Sequence, residues 1–341
     1  MEDFSIWTSG SGLITGLLFG LIMQRSRFCL VAAVSNMMLV RDYRHSQAFL
    51  AAWAIAIAGT SLLEASGYVA ISESSYRVAQ LNWSGAIFGG LLFGFGAALA
   101  GGCAARTLVN TAEGNIGGLL TLITMIIFSA MTQYGYLEPA RVALLKLTVV
   151  TLDVNDSGIA TLLQISPAVA GIAVAITCLA IMRILGSVSG NRALILAGSL
   201  IGLLVALGWF LNEWVAQESF ASATPTSAKI TGPLANLGYT LATGKAPSFS
   251  FGTVFVISIF MGAFLSALMS GAFHWTRPDP TRIPHYLIGG ACMGTGAILA
   301  GGCNIGQGIT GVSTLSVTSI LAVTAIFTGA MLGVKWWERH V

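Results

Sequence analysis

Residues 89–103 read GGLLFGFGAALAGGC, and residues 289–303 read GGACMGTGAILAGGC. The two stretches lie 200 positions apart, and ten of their fifteen aligned residues are identical. Each is an apolar, glycine-rich run that ends in Gly-Gly-Cys, at Cys103 in the first copy and at Cys303 in the second. No other stretch of the chain repeats as clearly, so we take this pair as the candidate functional centre.

The composition indicates an all-α polytopic membrane protein. Of the 341 residues, 55% are hydrophobic and only 9% are charged, and the mean hydropathy is +0.82. A soluble domain carries about 25% charged residues, so this chain needs the lipid bilayer as its solvent. The net charge of +3 gives no indication of a nucleic-acid partner. Five cysteines in a chain of this length do not form a disulfide framework, and the sequence has no P-loop for ATP hydrolysis.

Stretches without charged residues predict the membrane crossings. There are eight of them: 4–24, 45–63, 78–105, 114–137, 157–182, 193–212, 246–276 and 283–334. A helix needs about 20 apolar residues to cross a bilayer, so most of these stretches fit one crossing. The last stretch has 52 residues, enough for two. The sequence therefore predicts about nine transmembrane helices in a single membrane domain, 1–341.

The middle of the 52-residue stretch predicts a broken helix. It reads GGCNIGQGITGVS, which is rich in glycine and small polar residues. A turn in water usually carries a charge, whereas irregular backbone at membrane depth is tolerated only where it is buried or lines a wet cavity. We therefore expect a buried break at Gly301-Gly302-Cys303, a matching break at Gly101-Gly102-Cys103, and short helices beside them.

The basic residues predict the orientation. Cytoplasmic segments carry an excess of Lys and Arg, and 10 of the 16 such residues fall in segments that alternate to one side: Arg25, Arg27, Arg41, Arg44, Arg183, Arg192, Arg277, Arg282, Lys335 and Arg339. The N-terminus is then outside and the C-terminus cytoplasmic. Most acidic residues fall outside, including Glu2, Asp3, Glu73, Glu138, Asp153, Asp156, Glu213 and Glu218. Glu2 and Asp3 precede the first apolar run and Arg25 follows it, the reverse of a signal peptide, so we expect no cleaved signal.

This orientation makes the two breaks enter the membrane from opposite sides, which is typical of an inverted pseudo-two-fold repeat. We expect the halves to be 1–155 and 156–341. Arg141 and Lys146 contradict the charge rule and predict an interfacial helix over 139–150. A long loop over 213–249, with Pro225, Pro233 and Pro247, is expected to be flexible and to lie on the outer face.

The position after Gly-Gly gives Cys103 and Cys303 their chemistry. A helix that begins there offers free backbone N–H groups and a positive dipole end, which attract an anion. A thiol is a weak donor suited to a soft sulfur acceptor, or a nucleophile if its pKa is lowered. An isolated cysteine is most often a small buried hydrophobe, and the duplication of the motif favours function for these two.

Further candidates lie close to the breaks. Arg106, Asn304 and Gln307 are candidate substrate-binding residues, and Arg106 is the charge beside the first break. The same arginine could instead extend to the membrane interface. Cys29 follows Arg25 and Arg27, which could guide an anion or act as positive-inside anchors.

Other polar residues fit structural roles. Cys178 and Cys292 are expected to be apolar filling, Glu64 to lie at the interface, and most of the glycines to form helix-packing faces. The four histidines have no metal-ligand spacing. We therefore expect a transporter and not an enzyme, with no metal and no cofactor.

The motif Arg25-Ser-Arg27-Phe28-Cys29 and the paired Gly-Gly-Cys breaks resemble those of the YeeE/YedE family of bacterial membrane proteins. The resemblance covers nearly the whole chain. The family is a sulfur-transport family whose characterised function is thiosulfate uptake. It implies a monomeric helical bundle, narrowed at its centre, with short helices that do not cross the membrane. It also implies that thiosulfate passes along three cysteines, here Cys29, Cys103 and Cys303, whose thiols hydrogen-bond its terminal sulfur. A TusA-like cytosolic sulfur carrier, on a separate chain, is the implied partner.

Two alternative functions remain open at this stage. One is transport of another sulfur-containing or soft ion, because thiolates also bind Cu(I) and zinc. The other is a membrane sulfurtransferase that forms a persulfide on a cysteine with a lowered pKa.

Overall fold

The computed structural model describes residues 2–151, 156–186, 189–218, 224–245 and 250–340. Asp153 and Pro247 lie outside these ranges. The helices of this part of the chain are α1 (Glu2–Ser26), α2 (Leu30–Leu39), α3 (Arg44–Ala65), α4 (Gly90–Ala100), α5 (Ala104–Ala112), α6 (Ile116–Tyr134), α7 (Glu138–Thr148), α8 (Ile159–Leu162), α9 (Pro167–Ile184), α10 (Arg192–Glu218), α11 (Thr231–Thr243), α12 (Phe251–Met269), α13 (Ile283–Leu299) and α14 (Val317–His340).

Short elements join these helices. Two five- or six-residue π-helical segments, Gly85–Gly89 and Gly306–Gly311, lie directly before α4 and after the second break. Three 3₁₀ turns cover Ile71–Glu73, Ser189–Asn191 and Pro280–Arg282. Strands β1 (Gln80–Leu81) and β2 (Val150–Thr151) form one antiparallel pair between loops. The described fold is an all-α bundle.

Eight helical segments of the described chain are long and apolar enough to cross a membrane: Gly10–Leu39, Arg44–Ala65, Gly85–Ala112, Ile116–Tyr134, Pro167–Ile184, Arg192–Glu218, Phe251–Met269 and Val317–His340. The polytopic all-α prediction is confirmed. The sequence predicted about nine crossings, and the difference is α13. That helix has 17 residues, about 26 Å at 1.5 Å per residue, slightly less than the roughly 30 Å hydrocarbon core.

Glycines of the repeated stretch allow close helix packing, as the sequence predicted. Gly90 and Gly94 place α4 directly on the backbone of α14, and Gly290 and Gly294 place α13 on α6 in the same way. A methyl group on Gly94 would overlap the carbonyl oxygen of Ile326. Glycine faces of this kind bring helix backbones close enough for dispersion to hold them in lipid.

Helices α4 and α13 also pack against each other, in opposite directions. A methyl group on Gly89 would lie 2.7 Å from the carbonyl oxygen of Gly296, and one on Gly96 would lie 2.7 Å from that of Gly289. In the alignment of the two copies, Gly89 corresponds to Gly289 and Gly96 to Gly296. The two contacts are therefore reciprocal, the pattern that a two-fold axis produces between equivalent surfaces.

The outer helices form two further close pairs. Gly16 and Gly20 of α1 contact the backbone of α12, and Gly198 and Gly202 of α10 contact the backbone of α3. Helix α9 covers the other side of α3, where Gly171 meets Ser61. These pairs enclose the two broken helices, so the breaks lie inside the bundle.

The expectation of a flexible loop over 213–249 was wrong for most of its length. Helix α10 continues to Glu218, and α11 occupies Thr231–Thr243. Pro233 lies in the first turn of α11, where a missing backbone N–H does no harm, so the proline that suggested a loop marks a helix start. The predicted helix over 139–150 is present as α7, and none of its residues is buried.

Candidate functional site

Both breaks have the geometry of a helix that ends on a left-handed glycine. Gly101 has φ +76° and Gly301 has φ +75°, a conformation that favours glycine. In the first break, the N–H of Gly101 donates to Ala98 O (3.2 Å) and that of Gly102 to Ala97 O (2.9 Å). In the second, Gly301 and Gly302 bond Ile298 O (3.3 Å) and Ala297 O (2.7 Å). These paired bonds satisfy carbonyls that the helix end leaves free.

The first glycine of each break is less buried than predicted. Gly101 and Gly301 are exposed, each to a cavity on its own side of the bundle, whereas the cysteines that follow, Cys103 and Cys303, are completely buried. The breaks therefore line cavities with polar and charged walls, and irregular backbone is tolerated at membrane depth where it lines a water-accessible cavity.

Cys103 lies against Cys29. Cys103 is the N-cap residue of α5, and Cys29 is the N-cap residue of α2. Their Sγ atoms are 4.0 Å apart, and Cys29 is 5% exposed. Two residues 74 positions apart in the chain are thus brought into one site, at the N-termini of two short helices whose dipoles favour negative charge.

Cys303 occupies the corresponding place in the second break. The N–H of Gly306 donates to Cys303 Sγ at 3.5 Å, and Cys303 O accepts from the N–H of Gln307 at 2.7 Å. The backbone of Thr231, the first residue of α11, also reaches this thiol. Cys303 belongs to the same buried cluster as Cys29 and Cys103. The three cysteines that the sequence singled out therefore form one buried group.

A large cavity opens beside Cys29 and the first break; we call it the Arg27 cavity. Its volume is about 760 Å³. Its lining contains three arginines, one glutamate and two histidines: Arg27, Arg106, Arg282, Glu338, His45 and His285. The excess of positive charge suits an anion.

A second cavity opens at the other break; we call it the Tyr76 cavity. Its volume is about 400 Å³. Gly301, Gly302 and Gln307 form its floor, and Tyr76 and Lys229 lie in its wall. Among the described residues that line it, Lys229 and Arg141 are cationic and none is acidic. Cys103 and Cys303 lie between the two cavities and line neither.

Arg106 lies in the Arg27 cavity, one turn after Cys103. Its Nη2 atom is 3.4 Å from Glu113 Oε2, and its Nη1 atom is buried without a hydrogen-bond partner in the described chain. Of the two readings of Arg106, extension to the interface does not fit, because the side chain is 12% exposed and folds against Gly102.

Asn304 and Gln307 differ in how they are engaged. Asn304 is 1% exposed, and neither its Oδ1 nor its Nδ2 atom has a partner among the described residues. A buried amide without a partner is costly, which points to a ligand or water. Gln307 donates to Ala300 O at 2.9 Å and accepts from Ser319 Oγ at 2.6 Å, so it closes the second break.

Sequence reasoning missed a polar chain that holds Arg106. Gln24 Nε2 donates to Glu113 Oε1 at 3.1 Å, and Ser266 Oγ donates to Gln24 Oε1 at 2.8 Å. These hydrogen bonds link the end of α5 to α1 and α12, and they fix the carboxylate of Glu113 that Arg106 faces. The glutamine at the end of the first apolar run was its available signal.

A buried ion cluster supports the Tyr76 cavity. Arg77 is 1% exposed and forms two bonds to Asp156, each of 2.9 Å, and a further bond to Glu64. The sequence analysis expected Glu64 to lie at the membrane interface and did not predict that it pairs with Arg77. Ser316 Oγ donates to Tyr76 O at 2.6 Å beside the cluster. An arginine directly before a charge-free stretch was the signal for this site.

Lys229 and Tyr76 were also missed. Lys229 is the single charged residue between Glu218 and Lys245, in the segment that was taken for a flexible loop. A lone charge in such a long uncharged stretch was the available signal.

The profile of the sulphur transport family matches residues 25–332. The chain belongs to this family. The match begins at Arg25, before the Cys29 motif, and includes both Gly-Gly-Cys breaks. The resemblance to YeeE/YedE proteins is thereby confirmed, and the family is one of transporters rather than enzymes.

Two thiosulfate transporters named TsuA are similar to this member of the sulphur transport family over most of its length. The protein from Escherichia coli K12 is 31% identical over 320 residues, which cover 88% of this chain and 86% of the relative. The protein from Spirochaeta thermophila is 29% identical over 334 residues, 93% of this chain and 94% of the relative. The probable transporter YedE of Escherichia coli K12 is 29% identical over 109 residues, 31% of this chain and 25% of the relative.

Proposed function

We propose that this protein takes up thiosulfate through the inner membrane along Cys303, Cys103 and Cys29. The observation that carries the proposal is that Cys103 and Cys303 are buried between two positively lined cavities on opposite sides of the bundle, with Cys29 beside Cys103 in the lining of the Arg27 cavity. The names of the two long relatives support thiosulfate as the substrate.

Thiosulfate has chemistry that fits this arrangement. It is a divalent anion with one soft terminal sulfur, so helix N-termini offset its charge while neutral thiols donate weak S–H bonds to that sulfur. Weak, successive sites release an ion more readily than one strong site does. Arg106, Asn304 and Gln307 complete the proposed substrate-binding set. Asn304 has a buried amide that can hydrogen-bond the ion, and Arg106 has a positive charge that attracts it. Gln307 holds the second break in its observed conformation.

The fold supports a further part of the proposal, an inverted repeat of 1–155 and 156–341. The reciprocal contacts of Gly89 with Gly296 and of Gly96 with Gly289 fit such a repeat. We propose that the N-terminus lies outside, so that the Tyr76 cavity opens outward and the Arg27 cavity toward the cytoplasm. A monomer that passes its cargo to a separate TusA-like carrier completes the proposal.

Uptake of labelled thiosulfate into vesicles, with and without a proton gradient, tests the function. We expect wild-type vesicles to accumulate the label, Cys103→Ala and Cys303→Ala vesicles to accumulate none, and Cys29→Ala vesicles to accumulate it slowly. Cys178→Ala is the control, because Cys178 is buried among Ala54 and Ala175 and lines neither cavity.

Normal uptake by the Cys103→Ala and Cys303→Ala variants would refute the role of the thiols. A stable mass gain on either cysteine after exposure to thiosulfate would support the sulfurtransferase alternative instead.

A further inference from the structure

The hydroxyl of Tyr76 is a buried donor without a partner. Tyr76 is 4% exposed, lines the Tyr76 cavity, and its Oη atom has no hydrogen-bond partner in the described part of the chain. Leaving such a group unpaired is costly. The backbone at this position is fixed by the bond from Ser316 and by the ion pair of the next residue, Arg77.

The ammonium group of Lys229 lies over the ring of Tyr76 and has more N–H donors than the one hydrogen bond described for it. Its Nζ atom lies 4.7 Å from the centroid of the Tyr76 ring and donates to Ser75 Oγ at 2.6 Å. An ammonium group has three N–H donors. Within the described residues no carboxylate lies within ion-pair distance of Lys229, so its charge is not neutralised by the protein.

Both groups lie next to Cys303. A methyl group on Gly306 would lie 3.7 Å from Tyr76 Oη, and the N–H of Gly306 donates to Cys303 Sγ. Lys229 is two residues before Thr231, whose backbone reaches the same thiol. The two donors therefore line the Tyr76 cavity, and the Cys303 thiol is buried directly behind its wall.

The two ends of the site are built differently. Helix α2 begins at the thiol of Cys29, and it contacts α3 and α14. The N-cap residue of helix α11 is Ile230, and the helix contacts α12 and α6. The N-cap residue on the Arg27 side is therefore a cysteine, Cys29. The N-cap residue on the Tyr76 side is Ile230, and Lys229 precedes it. The Tyr76 side thus has one thiol, Cys303, together with an ammonium and a phenol, whose donors suit the hard oxygen end of a ligand.

We propose that Lys229 and Tyr76 form an oxyanion subsite that binds the sulfonate oxygens of thiosulfate while its terminal sulfur meets Cys303. The subsite orients the anion sulfur-first toward the thiols and sets the affinity of the Tyr76 side. This inference rests on the proposed function, because it assumes that thiosulfate is the cargo.

Initial rates of thiosulfate uptake into vesicles test the subsite. We expect Lys229→Gln to raise KM about tenfold or more, the loss of one charge-assisted hydrogen bond, with little change in maximal rate. Tyr76→Phe should raise KM several-fold, and Lys229→Arg should keep it near the wild-type value. Lys245→Gln is the charge-matched control, because Lys245 is exposed and does not line the cavity.

Binding of thiosulfate to the purified full-length protein, measured by calorimetry, separates this inference from the transport function. Weaker binding by Lys229→Gln than by Lys245→Gln supports the subsite even if vesicles show no uptake. Equal affinity and equal KM in these two variants would overturn it, as would wild-type protein that binds no thiosulfate. If Lys229→Gln does not fold, Lys229→Met keeps the methylene stem, and unchanged affinity in that variant would equally overturn the inference.

Discussion

The Sγ atoms of Cys29 and Cys103 lie 4.0 Å apart, although the two residues are 74 positions apart in the sequence. Each begins a short helix, α2 or α5, and the two helix starts meet inside the bundle. A thiosulfate ion that leaves one thiol would therefore need only a small displacement to reach the other.

The short distance between these sulfurs predicts a cross-link. A disulfide has an S–S length of about 2.05 Å, so a shift of about 2 Å would allow the bond. Treatment with diamide, which takes up two electrons and two protons from the two thiols, is expected to link Cys29 to Cys103 and to stop uptake. Dithiothreitol should restore uptake. Peptide mass spectrometry identifies the bond, and wild-type protein without a Cys29–Cys103 peptide would contradict the prediction.

The glycine contacts predict which small substitutions the bundle does not accept. Gly94→Ala would place a methyl group 2.7 Å from the nitrogen of Ala330, and such overpacking costs about 1–3 kcal/mol. We expect a lower melting temperature in detergent. Gly10→Ala is the control, since nothing lies within 4 Å of a methyl group there, and its melting temperature should stay the same or rise. Equal melting temperatures for the two variants would show that the contact is not tight.

The buried ion cluster predicts a large stability effect at Asp156. Removing one partner of a buried pair costs about 3–5 kcal/mol, and Arg77 in this cluster is 1% exposed. Asp156→Asn should therefore lower the melting temperature clearly. Asp42→Asn removes an exposed partner of Arg44 at 3.7 Å, a kind of pair worth about 0–1 kcal/mol. Thermal unfolding of both variants compares them, and a similar small change in each would argue against the cluster.

The charge of Lys229 predicts a pH dependence. Burial disfavours the ammonium form and lowers the pKa of Lys229 to about 8. The group is charged below this pH and becomes neutral above it, so uptake should decline as the pH on the Tyr76 side rises through about 8. The groups that face it are Ser75, Tyr76 and, in the lining of the same cavity, Arg141. Burial raises the pKa of Tyr76 well above its usual value, so that phenol stays neutral over the same range.

Lys229→Arg tests this assignment, because an arginine stays charged throughout. Its uptake should lack the decline near pH 8 when the pH inside the vesicles is held constant. A decline of the same size in Lys229→Arg would place the titrating group elsewhere.

The sequence predicted the main features of the fold for a clear physical reason. A membrane crossing requires a long run without charges, and a turn at membrane depth requires glycine and a protected backbone. The charge-free stretches meet the first requirement and the two Gly-Gly-Cys copies meet the second. The helical bundle and both breaks could therefore be predicted. The segment around α11 could not, because a short helix with a proline in its first turn looks like a loop when its packing partners are unknown.

By itself, the sequence determined the class of protein and the two helix breaks, because hydropathy and backbone conformation are local properties, and it singled out Cys103 and Cys303 as candidates. Only the tertiary structure decided that Cys29 contacts Cys103, that Arg106 faces Glu113, and that Lys229 stands over Tyr76 beside Cys303. Cys29 and Cys103 begin different helices, Lys229 and Tyr76 lie in separate loops, and Glu113 is fixed by Gln24 of α1. The geometry of these contacts depends on how glycine faces bring the helices together, which no single stretch of sequence records.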